Sequence, residues 1–257
     1  MTTASHPLPL LGSESPDVET SSEGYATRFS GPVGQYFLQV QEEIALRLLA
    51  PWPEARILDV GGGHAQLAPR LVKHGYKVTV AGSREVCRAR LDRALPAGSF
   101  EFQACDLLRL PYADRSFDVV IAFRLLAHVP RWRELVGELC RVADHAVVVD
   151  YSDSRSFNAL YRPFFRWKKS VEGNTRTFIT FRLGEVAGEL SRHGFERPDE
   201  VRQFFVPMVV HRILGKALGT AGPSRAMEAA SRVLGLRQAL GSPVILRAHR
   251  EGVRQQP

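Results

Sequence analysis

Three consecutive glycines follow a short apolar run in RILDVGGGHAQL, residues 56–67. Such a run predicts a buried β-strand that ends in a turn without side chains and then leads into a helix. Because glycine has no Cβ, a turn made of Gly61, Gly62 and Gly63 lets a ligand approach the main chain closely. Glycine turns also serve tight packing within a protein, so the feature alone is moderately specific. It favours folds that are built from strand–turn–helix units.

Strand and helix patterns alternate along the chain after this turn. The strands are apolar throughout, as expected where helices cover both faces of a parallel sheet. We therefore predict an α/β fold with a doubly wound, seven-stranded, mostly parallel sheet. The predicted strands are 56–60, 77–80, 100–104, 119–123, 146–150, 201–210 and 243–249.

The flanking segments differ from this pattern. Residues 1–23 are rich in Ser, Thr, Pro and Glu and lack the features of a secretory signal, so we expect a disordered leader before a domain at 24–257. Residues 151–182 are interpreted as an insertion after strand five. Within it, SRSFNALYRPFFRWKKS (154–170) places aromatic residues on one helical face and basic residues on the other. This pattern predicts either a helical lid over an apolar or anionic substrate or a plug of the core.

Cysteine and histidine spacing argues against a metal centre. Cys87, Cys105 and Cys140 lie far apart without a CxxC pair, and the eight histidines form no HExxH or HxH cluster. No disulfide framework and no metal site is therefore predicted, and a reducing cytoplasm is the expected setting. No apolar run approaches the roughly 18 residues that predict a membrane-spanning helix.

Charge is unevenly distributed along the chain. Residues 1–150 hold 16 Lys/Arg and 18 Asp/Glu, whereas residues 151–257 hold 18 and 9. The basic surplus of the second part suggests an anionic partner, which leaves an anionic substrate, a membrane surface or a nucleic acid open. A solvated arginine-rich surface explains the same count.

Two cofactor patterns compete at the glycine turn. The dinucleotide fingerprint G-x-G-x-x-G needs a third glycine where the chain has Gln66, and it gives no role to Asp59 inside the first strand. Ser83 and Arg84 after the second strand keep an NADP interpretation open, because they suit a 2′-phosphate. The other pattern is a strand followed by Asp-x-Gly-x-Gly.

With this second pattern the chain resembles the class I S-adenosylmethionine-dependent methyltransferases. The resemblance rests on LDVGGGHAQL (58–67), ACDLLRLPYADRSFDVVIAF (104–123) and LLAHVPRWRELVGELCRVA (125–143). It covers about residues 24–150, with a looser match over 151–250. Within the superfamily the chain looks most like the small-molecule methyltransferases of the ubiquinone and menaquinone biosynthesis type. The resemblance implies a cytoplasmic transferase with a Rossmann-like fold and S-adenosyl-L-methionine as its cofactor.

The resemblance also implies which residues meet the amino-acid part of the cofactor. The glycine turn would pass close to it, and Asp59 would help to fix its ammonium group. Tyr25 and Arg28 would reach its carboxylate, for which a guanidinium is well suited. Ala65 stands where the family commonly has a third glycine. An ordinary surface position is the alternative for Arg28.

Further positions are implied at the ends of strands three and four. Asp106 would accept a hydrogen bond from the adenine amino group, with Leu107 beside the ring. A local turn cap is the alternative for Asp106. Phe123 and Arg124 would line the pocket near the methionine chain, and a structural ion pair is the alternative for Arg124.

The chain departs from the family pattern at the end of strand two. The family usually has an acid there that binds both ribose hydroxyls, and this chain has Ala81. Ser83 offers one substitute hydrogen bond. Loss of a charged hydrogen bond weakens binding by roughly 1.5–3 kcal/mol without abolishing it. The departure leaves open a protein that keeps the fold but binds without catalysis.

Methyl transfer to a hydroxyl or an activated carbon requires removal of a proton. His128, just past strand four, is the candidate base because imidazole titrates near neutrality; local packing is its alternative role. The chain has FRLL (123–126) after strand four and no NPPY-type tetrapeptide, which argues against amino-group acceptors. We predict O- or C-methylation of a small organic acceptor. RNA methylation and a non-catalytic binding protein are the alternatives.

Overall fold

A seven-stranded sheet organises the chain, for which the computed structural model describes residues 15–156 and 178–252. The strands are β1 Arg56–Val60, β2 Lys77–Gly82, β3 Glu101–Ala104, β4 Phe117–Ala122, β5 Ala143–Tyr151, β6 Phe195–Arg202 and β7 Val244–Arg250. They lie in the order β3-β2-β1-β4-β5-β7-β6. Strands β1 to β5 pair in parallel, and β7 pairs antiparallel with β5 and β6. The predicted doubly wound, mostly parallel sheet is confirmed.

Helices follow the apolar periodicity of the sequence. In the helix that precedes β5, Trp132, Leu135, Val136 and Leu139 are buried, as the spacing of an amphipathic helix requires. The helices are α1 Asp17–Thr20, α2 Glu23–Ala26, α3 Gly31–Leu49, α4 Ala68–Lys73, α5 Ala89–Ala94, α6 Trp132–Val142, α7 Leu183–Arg192, α8 Met208–Leu218, α9 Gly222–Val233 and α10 Leu236–Leu240. Among the helices of the described residues, none is both long and apolar enough to cross a membrane.

Both faces of the sheet are buried under helices. Successive side chains of a strand point to opposite faces, so Leu58 packs with the layer that contains α6, whereas Ile57 packs with the layer that contains α3 and α4. The carboxyl ends of β1 to β5 therefore meet at one edge of a rigid core. This edge is where ligands bind in open α/β sheets.

A third apolar cluster ties the N-terminal helices to the segment between β6 and α8. The Phe37 ring lies 5.0 Å from the Phe204 ring, and Tyr36 and Phe29 pack in the same cluster. The guanidinium of Arg124, which directly follows Phe123 at the end of β4, lies 4.1 Å from the centroid of the Phe29 ring. The cluster thus brings both chain segments to the carboxyl edge of the sheet.

The sixth strand was predicted at 201–210 and is instead Phe195–Arg202. Its sequence FERPDEVR is polar and contains Pro198, which argues against a central strand. The segment lies at the edge of the sheet, where proline is tolerated, and its register with β7 shifts between Glu196 and Asp199. Residues 203–207 form a loop and α8 begins at Met208.

The predictions for the leader, residues 1–23, and for the insertion, residues 151–182, compare differently with the structure. The predicted disordered leader 1–23 overlaps α1, where Asp17 and Thr20 are buried, so the ordered chain extends further towards the N-terminus than predicted. Residues 157–177 of the predicted lid lie outside the described residues. Its flanks are described, and they meet through a parallel bridge between Asp153 and Phe181.

Candidate active site

The glycine turn follows β1 and has the geometry that a bare main chain permits. Gly61 has φ +76°, a conformation that side chains rarely adopt, and its N–H donates to the carbonyl of Ala81 at 2.8 Å. A Cβ at Gly61 would lie 3.1 Å from the Leu125 side chain, and one at Gly62 would overlap the carboxyl group of Asp59. Side chains at these two positions would collide with Leu125 or Asp59, so the close packing of the turn requires glycine.

Asp59 is fully buried beneath this turn. Both of its carboxyl oxygens lack a hydrogen-bond partner among the described residues. Burial raises the pKa of Asp59 to about 7, because no charge or donor offsets the loss of water around the carboxylate. An acid without a partner at this depth suits a cationic ligand group.

Helix α1 covers the outer side of the turn. The Asp17 carboxylate accepts the Ser83 N–H at 2.8 Å, immediately after β2. The Ser21 hydroxyl lies against Gly63, where a Cβ would overlap it and would come within 2.6 Å of the Cys87 carbonyl oxygen. The glycine turn is thus packed against the protein's own N-terminal segment in this structure.

Asp106 and Leu107 follow β3. Asp106 is half-buried, and its Oδ1 accepts the Leu108 N–H at 3.0 Å, which is the local turn cap that the sequence left as an alternative. Leu107 is buried in the core layer that includes α6. Both residues lie at the carboxyl edge of the sheet, and a cofactor role for them stays a prediction.

Arg124 adopts a left-handed conformation at the end of β4, with φ +58°. Its N–H donates to Asp150 Oδ1 at 2.6 Å, and its guanidinium donates to Gln41 Oε1 at 2.5 Å. Such a backbone costs about 1–3 kcal/mol and marks many functional sites. The preceding Phe123 is buried in the core with Ile57, so its side chain packs with the protein itself.

Tyr25 and Arg28 lie beside this arginine without joining the glycine turn. Tyr25 is buried, and its ring centroid is 5.7 Å from that of Phe29. Arg28 is exposed, lies 4.9 Å from the centroid of the Tyr25 ring and forms an ion pair with Glu19 at 3.7 Å. Their predicted role at a carboxylate stays a prediction.

A cavity of about 960 Å³ opens next to Arg124. Its wall combines the ends of β4 and β5 with side chains from α3, the loop before α8, and α8 itself. Most of the wall is apolar. The polar and charged side chains that line it include Gln41, Arg124, His128, Asp150, Gln203 and Arg212.

Several residues that line this cavity carry a buried hydrogen-bond donor without a partner among the described residues. Within the described part of the chain, Nε of Arg124 and the side-chain nitrogens of Gln41 and Gln203 are buried and unpartnered, as is the Tyr151 hydroxyl. Arg212 adds a cation at the mouth, where burial and the nearby Arg28 and Arg124 lower its pKa. A surplus of donors and positive charge suits a ligand with oxygen acceptors.

Two titratable groups of the cavity wall are candidate bases. His128 is half-buried, with its ring centroid 5.6 Å from that of Phe178. Asp150 is buried, and burial raises its pKa to about 6 although the neighbouring Arg124 opposes the shift. A carboxylate with a raised pKa in a cavity is poised to accept a proton.

The structure brings nine of the twelve predicted residues together in two groups, which do not include Asp106, Leu107 or Phe123. Arg124 and His128 line the cavity, with Tyr25 and Arg28 beside Arg124. The second group lies under α1 and consists of Asp59, Gly61, Gly62, Gly63 and Ser83.

Sequence reasoning missed Asp17, Gln41, Asp150 and Arg212. Asp150 carried a signal, because it ends the predicted fifth strand, and ligands bind at strand ends in such sheets. The other three come from helices whose position depends on the fold.

The chain is similar in sequence to known methyltransferases. Residues 58–146 match the family model described as a methyltransferase domain. The chain is similar to the O-methyltransferase cnsE of Penicillium expansum, with 33% identity over 109 residues, covering 40% of this chain and 39% of that protein. It is also similar to a ubiquinone/menaquinone biosynthesis C-methyltransferase of Cereibacter sphaeroides, with 29% identity over 128 residues, covering 46% and 49%. The chain thus matches less than half of each of these relatives.

Solved structures share the fold over nearly the whole chain. Magnesium protoporphyrin IX methyltransferase from Synechocystis, solved with bound S-adenosylhomocysteine, superposes with a TM-score of 0.58 at 16% identity. The superposition covers 90% of this chain and 96% of that one. The sheet and its helices therefore have the arrangement of this methyltransferase fold.

Proposed function

We propose that this chain is a class I S-adenosylmethionine-dependent methyltransferase and that it transfers a methyl group to a small organic acceptor by O- or C-methylation. One observation carries the proposal: the cavity next to Arg124 opens at the carboxyl edge of the sheet, at the ends of β4 and β5, and β4 is the direct neighbour of β1 with its glycine turn. This arrangement leaves room for an acceptor beside a cofactor that lies along β1 and β2.

The residues at the glycine turn fit S-adenosylmethionine. The glycines keep side chains out of the turn, and the orphan carboxyl group of Asp59 lies directly against Gly62. The hydroxyls of Ser21 and Ser83 are also buried without partners among the described residues, as a polar ligand requires. When bound, the cofactor supplies an electrophilic methyl group on a sulfonium.

Two features of the cavity indicate what kind of acceptor it would bind: its wall is mostly apolar, and its polar residues include several hydrogen-bond donors without partners among the described residues. An apolar body would fill the space beside Phe37 and Phe204, which both line it. A carboxylate, phenolate or carbonyl oxygen would accept hydrogen bonds from Arg124, Gln41 and Arg212. We therefore propose an apolar acceptor that carries an oxygen anion.

We propose His128 as the base that removes the acceptor's proton. It lies in the loop after β4 and lines the cavity. Asp150 holds the Arg124 N–H and thereby fixes the left-handed turn that aims the guanidinium. A general base contributes about 10²- to 10⁴-fold to a rate, which sets the loss expected on its removal.

The test is a screen for S-adenosylhomocysteine release. The enzyme is supplied with S-adenosylmethionine and apolar phenols and enolisable ketones, each with and without a carboxylate, and products are identified by mass spectrometry. We expect turnover of at least one carboxylated acceptor. Arg212→Met should lower its kcat/KM by more than about tenfold, since a charge-assisted hydrogen bond is lost. Lys216→Met, an exposed change one turn further along α8, should leave it unchanged.

His128→Gln and Asp150→Asn decide the role of the base. His128→Gln should reduce kcat by at least about a hundredfold and Asp150→Asn by less. The opposite ranking would move the role to Asp150. Absence of any product from a broad panel, together with no heat on titration with S-adenosylhomocysteine, would instead favour a non-catalytic binding protein. Two observations support this non-catalytic alternative: Ala81 stands where the family pattern has an acid, and α1 covers the glycine turn.

A further inference from the structure

The end of β2 lacks the acid that the family pattern has, and a carboxylate from another element lies there. β2 ends with Ala81 and Gly82, and Ser83 follows. Asp17 of α1 reaches the Ser83 N–H with its Oδ2 at 2.8 Å, although 66 residues separate the two in the chain. The fold therefore brings the carboxylate of Asp17 to a strand end whose own sequence has no acid.

Asp17 is built into this position. Its side chain is 0% exposed, and its Oδ1 has no hydrogen-bond partner among the described residues. An unpartnered oxygen of a buried carboxylate is costly, so its retention points to a donor that a ligand brings. The Ser83 N–H holds one oxygen, and the only other donor near the carboxylate among the described residues is the weak Cys87 thiol, which a ligand hydroxyl would replace.

Further orphan polar atoms surround the same point. The Ser83 hydroxyl is buried and unpartnered, and so is the Ser21 hydroxyl one turn after Asp17. The Ser21 N–H bonds the Asp17 carbonyl at 2.9 Å, which fixes these two side chains on the same turn. Burial, the charge of Asp17 and a hydrogen bond to its carboxylate raise the pKa of the adjacent Cys87 to about 11, so Cys87 stays a neutral thiol.

We propose that Asp17, together with Ser83, binds the vicinal hydroxyls of the cofactor's ribose and so replaces the acid that β2 lacks. This inference rests on the proposed function, because the ribose belongs to S-adenosylmethionine. Because the Ser21 hydroxyl of the N-terminal segment packs against Gly63, this binding requires a shift of α1 away from the turn. The N-terminal segment is then part of the cofactor site.

Calorimetric titration of the full chain tests this assignment. The ligands are S-adenosylhomocysteine and its 2′-deoxyadenosine counterpart, and the proteins are wild type and Asp17→Asn. Asparagine keeps an oxygen for the Ser83 N–H but removes the charge. We expect Asp17→Asn to weaken S-adenosylhomocysteine binding by about tenfold to a hundredfold. The wild type should discriminate against the deoxy ligand, and the variant should bind both within about threefold of each other.

Glu19→Gln is the matched control, because Glu19 is exposed on the same helix and pairs with Arg28 instead of the β2 end. It should bind S-adenosylhomocysteine as the wild type does, and thermal melting should show that both variants are folded. Equal or tighter binding by Asp17→Asn would overturn the inference and make α1 a plug of the site. No binding by the wild type would overturn the proposed function itself, and this inference with it.

Discussion

Asp59 shows how a single residue can be costly to the fold and useful to the site. Its neighbours in β1 are fully buried aliphatic side chains, and its own carboxyl group has no partner within the described residues. An alanine or valine there would be cheaper for the core. We therefore interpret Asp59 as a functional residue. A bound cationic group would offset the cost of burying its carboxylate.

Asp59 should make stability depend on pH. Its pKa is raised by burial from 3.8 to about 7, so between these values the unfolded chain binds fewer protons than the folded one. The free energy of unfolding therefore falls as pH rises through this window, by roughly 4 kcal/mol in all. Urea unfolding at a series of pH values should show this loss in the wild type relative to Asp59→Asn. Parallel curves for the two proteins would contradict the assignment.

Helix α9 controls the shape of the cavity although none of its residues lines it. Glu228 is buried and accepts the N–H groups of Phe205 and Val206 at 3.0 and 2.9 Å. It also bonds His211 Nε2 at 3.0 Å and the Ser231 hydroxyl at 3.2 Å. Burial alone would raise the pKa of Glu228, but these bonds outweigh it and lower the pKa. One carboxylate thus holds the loop before α8 in place.

Removal of this carboxylate should loosen the cavity wall. Glu228→Ala leaves two half-buried N–H groups and the buried His211 without their acceptor, so we expect a loss of about 3 kcal/mol in the free energy of unfolding. The exposed Arg232→Ala on the same helix should change it by less than about 0.5 kcal/mol. Urea denaturation measures both. If Glu228→Ala unfolded at the same urea concentration as the wild type, other contacts would hold the loop in place.

At the scale of the whole molecule, three arginines of the basic C-terminal part, Arg202, Arg247 and Arg250, are used inside the fold. Arg202 is buried and ion-paired with Asp153 at 2.6 Å, and Arg247 is buried and paired with Asp199. Arg250 donates to main-chain carbonyls at the end of α6 and the start of β5. These arginines stabilise the β6–β7 edge, so the net charge overstates the basic surface offered to a nucleic acid.

RNA binding should accordingly be weak and nearly insensitive to salt. A protein that makes 6–10 phosphate contacts loses about 10³- to 10⁵-fold in affinity between 50 and 200 mM salt. We expect less than about a tenfold change for this chain, measured by fluorescence anisotropy with a structured RNA. A steep loss would restore RNA methylation as the leading activity.

Local sequence patterns determined the sheet, because strand and helix periodicities depend on residues that lie close together in the chain. They also predicted the glycine turn, whereas Arg124 and His128 were expected at the site from the resemblance to methyltransferases, and their roles stay predictions. The leader boundary and β6 were predicted less well, since burial of Asp17 and edge pairing around Pro198 depend on distant partners.

Tertiary structure alone decided the rest of the site. Arg124 meets Gln41 across 83 residues, and Asp17 meets Ser83 across 66. Such pairs leave no local pattern, because their spacing is set by the order of strands in the sheet and by the helices that return over it. The sequence therefore specified an α/β sheet with a bare turn after β1, and folding decided which charged and polar groups surround that turn.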